Sequence, residues 1–295
     1  MSLRPALPVL AGASLALAAA AACAGPAPIA VGPQFDTTHV YVAPADVDRF
    51  ARSFVATFGG RSTRQVVATV TPTPSRTSSQ LLQTPYGTVS LFGFRTPIPA
   101  PFGAERNGYL VTDMDAAVAS ARAAGADVLV HDFPDPIGRD AVVQFPGGVN
   151  LQLYWHTVPP AYPPLRTTPE NRVYVSPDRV DAFVTAFGAF AQARVVSDSA
   201  SAPGVEIGRP AQTYRRLRLE SGFGKLVVLV TDGHLPWPWG RESTGYDVDD
   251  LRQTLAKARA AGARVRVAPF ASDGREAAVL EFPGGYIAEV HAAAR

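Results

Sequence analysis

With 295 residues, 47% of them hydrophobic, the chain can bury one large core or two ordinary ones. Its formal net charge of +2 comes from 27 basic and 25 acidic residues without a run of Lys or Arg, which excludes nucleic acid and a basic membrane-surface patch as expected partners. A single cysteine excludes an internal disulfide framework.

The first 22 residues read as a secretory signal. Arg4 precedes an apolar stretch over residues 9–22 that is too short to span a bilayer as a mature helix. Cys23 follows Ala20, Ala21 and Ala22 and precedes Ala24, Gly25 and Pro26, a pattern that resembles a bacterial lipoprotein cleavage site, where the cysteine is lipidated. Ala20 stands where such sites usually carry Leu, and ordinary cleavage after the small triplet is the alternative. The expectation is an exported protein, periplasmic or held at the membrane through Cys23 alone. Residues 23–34 are small and Pro-rich, a tether.

Beyond the tether the chain divides at residues 157–169, whose five prolines cannot supply donors to a central sheet and so read as a linker. The halves on either side, residues 35–156 and 170–292, repeat one another. Phe50 and Phe54 correspond to Phe183 and Phe187, Gly125 to Gly262, and the Phe-Pro-Gly-Gly turn at Phe145 to the one at Phe282. Each half repeats again within itself. A short β-branched or aromatic strand ("HVYV", "GYLV", "RVYV", "GYDV") opens each unit, and an acidic step suited to helix capping follows, such as Asp46 and Asp48 or Asp249 and Asp250. Phe50, Phe54 and Phe58 recur every fourth residue and share one face of the helix that comes next. Gly125 and Gly262 end their helices, and strands return behind them, giving β-α-β-β-β four times.

These four units, with the "ARAAGA" helix ends and the Gly-Gly turn before a last strand, resemble the vicinal oxygen chelate superfamily, which includes glyoxalase I, bleomycin-resistance proteins, extradiol dioxygenases and methylmalonyl-CoA epimerase. The resemblance spans nearly the whole mature chain. It implies an α+β fold in which four βαβββ modules form two glyoxalase/bleomycin-resistance-like half-barrel domains, each with a pocket. It also implies a divalent metal (Fe, Zn, Mn or Ni) held from the first and last strands of paired modules. Carried over position by position, the first-strand ligand sites fall on His39, Arg106, Arg172 and Ser243, and the last-strand sites of modules two and four on Gln152 and Glu289. The last strands of modules one and three offer neither carboxylate nor imidazole.

The metal candidates are therefore His39, Gln152 and Glu289. Pairing within halves joins His39 to Gln152 and leaves Glu289 beside Arg172, while pairing across halves joins His39 to Glu289 and Ser243. A guanidinium donates only, so Arg106 and Arg172 cannot ligate a cation and are candidates for an anionic ligand instead. Tyr41 shares a strand face with His39; Tyr154 and His156 share one with Gln152, so Tyr41 and Tyr154 are candidate ligand-binding residues. His156 and His291 read as strand ends near solvent, and His131 and Asp132 as part of a loop between strands. His234 stands in a Trp- and Pro-rich loop that caps a pocket or packs over the sheet. No phosphate loop, nucleophile elbow or Cys pair is present in the mature region. The expected function is the binding of a small molecule in a half-barrel pocket without a complete metal site. The alternative is a metal-dependent lyase, isomerase or dioxygenase using His39 and Glu289.

Overall fold

The computed structural model describes residues 28–294, so the candidate signal segment and the lipidation site Cys23 lie outside the described residues. Module one comprises β1 (Asp36–Tyr41), α1 (Val47–Phe58), the short β2 (Arg61–Ser62) and β3 (Val66–Ala68), β4 (Thr77–Thr84) and β5 (Gly87–Phe94). Module two follows with β6 (Asn107–Leu110), α2 (Met114–Ala123), β7 (Asp127–Pro134), β8 (Gly138–Phe145) and β9 (Val149–His156). Module three is β10 (Glu170–Val175), α3 (Val180–Ala191), β11 (Arg194–Pro203), β12 (Thr213–Ser221) and β13 (Gly224–Val230). Module four is β14 (Ser243–Asp247), α4 (Leu251–Ala260), β15 (Arg264–Ser272), β16 (Arg275–Glu281) and β17 (Ile287–Ala293). The β-α-β-β-β order holds in all four, with β2 and β3 standing as one interrupted strand because both pair with β4.

Modules join edge to edge within each half. The first sheet runs β2-β4-β5-β1-β6-β9-β8-β7, with β3 also on β4, and the second β11-β12-β13-β10-β14-β17-β16-β15. The seams are the antiparallel pairs β1 with β6 and β10 with β14. The result is an α+β fold of tandem half-barrel sheets.

The hydrophobic cores cross between the halves. The apolar face of α1 (Phe50, Phe54 and Phe58) packs on Tyr246, Phe282 and Tyr286 of module four, with Phe54 5.3 Å and Phe58 6.0 Å from Phe282 between ring centroids. Phe183, Phe187 and Phe190 of α3 pack on Phe145 of module two and Phe223 of module three. Each buried phenylalanine contributes on the order of 2–3 kcal/mol of transfer free energy. These layers hold the two halves against each other.

Local signals behave unevenly. Asp113 and Asp250 cap α2 and α4 through their side chains, accepting from the N–H groups of Ala116 and Gln253. Asp46 makes no such cap, because a turn of 3₁₀ helix over Pro44–Asp46 leads directly into α1. Pro28 to Gln34, the described part of the expected tether, is docked: Ala30 bridges to Val111 and the N–H of Val31 donates to the Leu110 carbonyl at 3.1 Å. His131 and Asp132 lie on β7 rather than in a loop, and Asp132 pairs with Arg139 across the β7–β8 hairpin. Among the described residues no helix is long and apolar enough to cross a membrane.

Candidate ligand-binding site

The interior of the first sheet holds a cavity of about 270 Å³. Strand alternation places His39 and Tyr41 of β1, and Gln152, Tyr154 and His156 of β9, on its wall, and register brings Ser90 and Phe92 of β5 beside His39 and Tyr41. Asp36 faces the same cavity, although simple alternation from His39 would turn it toward the helices. A bulge between Asp36 and Thr38 reverses its direction.

Several polar groups of the cavity are tied to one another and to the surrounding strands. Asp36 accepts hydrogen bonds from the Tyr154 hydroxyl at 3.0 Å, the Tyr162 hydroxyl at 3.1 Å and the Ser90 hydroxyl. Tyr162 comes from the Pro-rich linker, which thereby furnishes part of the site. Burial, with the charge of Asp135 added, holds the Asp140 carboxyl well above the usual carboxylate range, and its bond to Gln152 opposes this only in part. His39 is 2% exposed, and its Nδ1 is buried without a partner. Burial lowers its pKa to about 4 despite the charge of Asp36, so the ring is neutral at ordinary pH. Its edge meets Phe92 at 5.5 Å between centroids, in a T-shaped contact. A Cβ on Gly108 would lie 2.2 Å from His39 Nε2, so this glycine makes room for the ring. Tyr41 donates its hydroxyl to Glu105, and burial pushes its own pKa well above the usual value.

The corresponding space in the second half is filled. Arg172 occupies the place of His39, over Gly245, and Glu289 the place of Gln152. Arg172 reaches Glu289 at 3.1 Å and Glu170 at 3.2 Å; Arg275 reaches Glu170 at 2.8 Å. Arg216 bridges Glu206 and Asp273, and Arg218 also meets Asp273 at 2.8 Å. Burial would raise the Glu170 carboxyl, but the charges of Arg172, His291 and Arg275 outweigh it and hold that carboxyl well below the usual range. Glu289 is lowered in the same way, by Arg172 and His291 against its burial. The half-buried Trp239 lines the same interior, where the remaining cavities measure about 20 Å³ each, room for about one water. The Trp- and Pro-rich loop is thus a plug for the second half.

Several residues depart from their expected roles. His39 and Glu289 do not form a shared site: His39 lies in the first sheet, and Glu289 is ion-paired to Arg172 in the second, with His291 Nδ1 2.8 Å from its carboxylate. His291 is 1% exposed, not near solvent, because β17 runs two residues beyond it. Arg172 is a buried ion-pair partner, and Arg106 turns away from Gln152, with its guanidinium 5.4 Å from the Tyr41 ring centroid.

A catalytic divalent metal requires about three protein ligands with a position left open. In the first cavity Asp36 is engaged by three hydroxyls and Asp140 is hydrogen-bonded to Gln152, while the two imidazoles of the wall, His39 and His156, stand on different strands, β1 and β9. Among the described residues no group of three or more His, Cys, Asp or Glu side chains is arranged to hold a metal ion. The side chains as arranged do not fit a metal centre.

No family model and no curated protein matches the sequence. Solved structures do match. A mutant of 4-hydroxymandelate synthase from Streptomyces coelicolor is 15% identical at a TM-score of 0.57, covering 90% of this chain and 94% of that one. A Mn(II)-bound glyoxalase from Novosphingobium aromaticivorans is 14% identical at a TM-score of 0.54, covering 88% of this chain and 82% of that one. A xylose isomerase-like TIM barrel/4-hydroxyphenylpyruvate dioxygenase fusion protein is 14% identical at a TM-score of 0.56; 91% of this chain aligns, spanning 50% of the fusion. At these identities the likeness carries the fold alone.

Proposed function

Because the chain has the vicinal oxygen chelate fold, we propose that its first-half cavity binds a small, neutral, monocyclic aromatic molecule without a metal. The observation that carries this reading is the contrast between the halves: an open cavity of about 270 Å³ in one, a charge-paired interior in the other. Phe92, Phe94, Phe102, Tyr41 and Tyr154 supply aromatic walls suited to a flat ring. Gln152, the neutral His39 and the Asp140 carboxyl, which burial raises well above the usual carboxylate range, supply hydrogen-bonding groups for one polar substituent. A cationic partner for a ligand carboxylate stands only at the rim, where the exposed Arg64 contributes.

One neighbour of the fold is Mn(II)-bound, which makes metal dependence the reading to test against. Calorimetric titration of the protein with phenol, in the presence and absence of a chelator, separates the two. Saturable binding indifferent to the chelator and weakened about tenfold in Gln152→Leu, the cost of one lost buried hydrogen bond, supports the proposal. Binding that requires an added divalent metal, and is lost with His39→Ala, supports a metal-dependent enzyme instead.

A further inference from the structure

A second cavity, of about 480 Å³, lies between the halves, lined by Arg106, Arg241, Glu242, Ser243, Tyr286 and the Gly284–Gly285 turn among others. His39 and Tyr41 line both this cavity and the first, so a single layer of side chains separates the two. Nothing in the proposed binding of an aromatic molecule uses it.

Its charges are unusual for this protein. Among the described residues, Arg172, Arg216, Arg218 and Arg275 each reach a carboxylate within 4.0 Å, whereas no such ion pair forms at the half-buried Arg106. Its guanidinium contacts the Tyr41 ring and otherwise faces the cleft. An unpaired, partly desolvated fork is a geometry that planar carboxylates match with two parallel hydrogen bonds. The second observation is Glu242, whose Oε2 is buried without a hydrogen-bond partner. Burial pushes its carboxyl up to about 8 against the charge of Arg106, so at neutral pH it carries a proton and presents a donor rather than a repelling charge. Arg241 adds a second guanidinium at the exposed mouth, and Ile287 and the faces of Tyr41 and Tyr286 give apolar surface beside it.

We propose that the cleft between the halves is a second binding site, for a small monocarboxylate, with Arg106 taking the carboxylate oxygens as a bidentate partner. A carboxylate carries one charge and two coplanar oxygens, matched by one fork and one neighbouring donor. A phosphate dianion brings three oxygens and more charge than this donor set neutralises, and it would be repelled as soon as Glu242 lost its proton.

The test uses the full chain with benzoate and inorganic phosphate as calorimetric probes, on the wild type and on Arg106→Gln, Arg241→Gln and Gln152→Leu, with thermal melting to confirm that each variant is folded. Benzoate is expected to saturate a single site, to weaken about tenfold or more in Arg106→Gln, the effect of losing a charge-assisted pair, and to be unchanged in Gln152→Leu. Arg241→Gln, at an exposed position that cannot disturb the core, is expected to weaken benzoate severalfold even if Arg106→Gln proves unstable. Phosphate is expected not to saturate. The proposal is overturned if benzoate fails to bind, if folded Arg106→Gln and Arg241→Gln both retain full affinity, if phosphate binds in its place, or if Gln152→Leu abolishes benzoate binding. The last result would locate the anion in the first cavity. Because phenol and benzoate report on different cavities, this inference and the proposed function can fail separately.

Discussion

His39 shows how surroundings set the chemistry of a side chain. An exposed imidazole titrates near pH 6.5, whereas this one is lowered to about 4 by burial. The unfolded chain therefore takes up a proton that the folded protein refuses through that interval. The resulting stability is fully present above pH 6.5 and is lost as the pH falls toward 4, about 3 kcal/mol in all. Urea denaturation of the wild type and His39→Leu at pH 7 and pH 5 measures it. The wild type is expected to lose stability between those pH values, and the variant to lose clearly less; identical slopes would contradict the buried neutral ring. The paired carboxylates Glu170 and Glu289 act at lower pH: both are depressed, so their contribution persists above the ordinary carboxylate range and disappears only in stronger acid.

Among the elements, α1 carries the clearest consequence. Phe54 is fully buried and meets Phe50, Phe58, Tyr246, Phe282 and Tyr286, rings drawn from modules one and four. Phe54→Ala is expected to cost about 3–5 kcal/mol in chemical denaturation, the range for removing a large core ring, whereas a loss below about 1 kcal/mol would show that the two modules are not packed through it. The four-residue spacing of Phe50, Phe54 and Phe58 makes that face legible in the sequence, and the period-two placement of Gln152, Tyr154 and His156 does the same for a single wall. Legibility ends where geometry departs from period. A bulge turns Asp36 into the cavity, and nothing in "FDTTHVY" marks it. Tyr162 reaches the cavity from a linker whose prolines announce only an absence of sheet. His291 reads as a strand end in the sequence because a strand's length is harder to read than its existence, and β17 runs on to Ala293. The repeated Gly-Tyr pair at Gly108 and Gly245 is a signal that could have located both interiors, since each glycine makes room for the side chain, His39 or Arg172, that fills the equivalent place.

At the scale of the molecule, duplication has produced two sheets of the same topology with opposite interiors, one hollow and one closed by Arg172, Glu289 and their partners. The modules pair through their sheets within a half and through the two large cores across halves, so neither half contains either large core whole, although smaller clusters lie within one half. Residues 28–158 and 165–294 produced separately are expected to remain unfolded or aggregate, and produced together to form a one-to-one complex with native-like circular dichroism. Two independently stable, monomeric halves would contradict this arrangement. On the proposed function, the hollow of the first sheet takes the aromatic molecule without a metal, and the filled interior of the second sheet takes none. The most direct test is a crystal structure of the protein grown with both phenol and Mn(II): the account predicts phenol within reach of Gln152 and Phe92 and no metal at His39, and it is contradicted if Mn(II) is coordinated by His39 or if phenol occupies the second half.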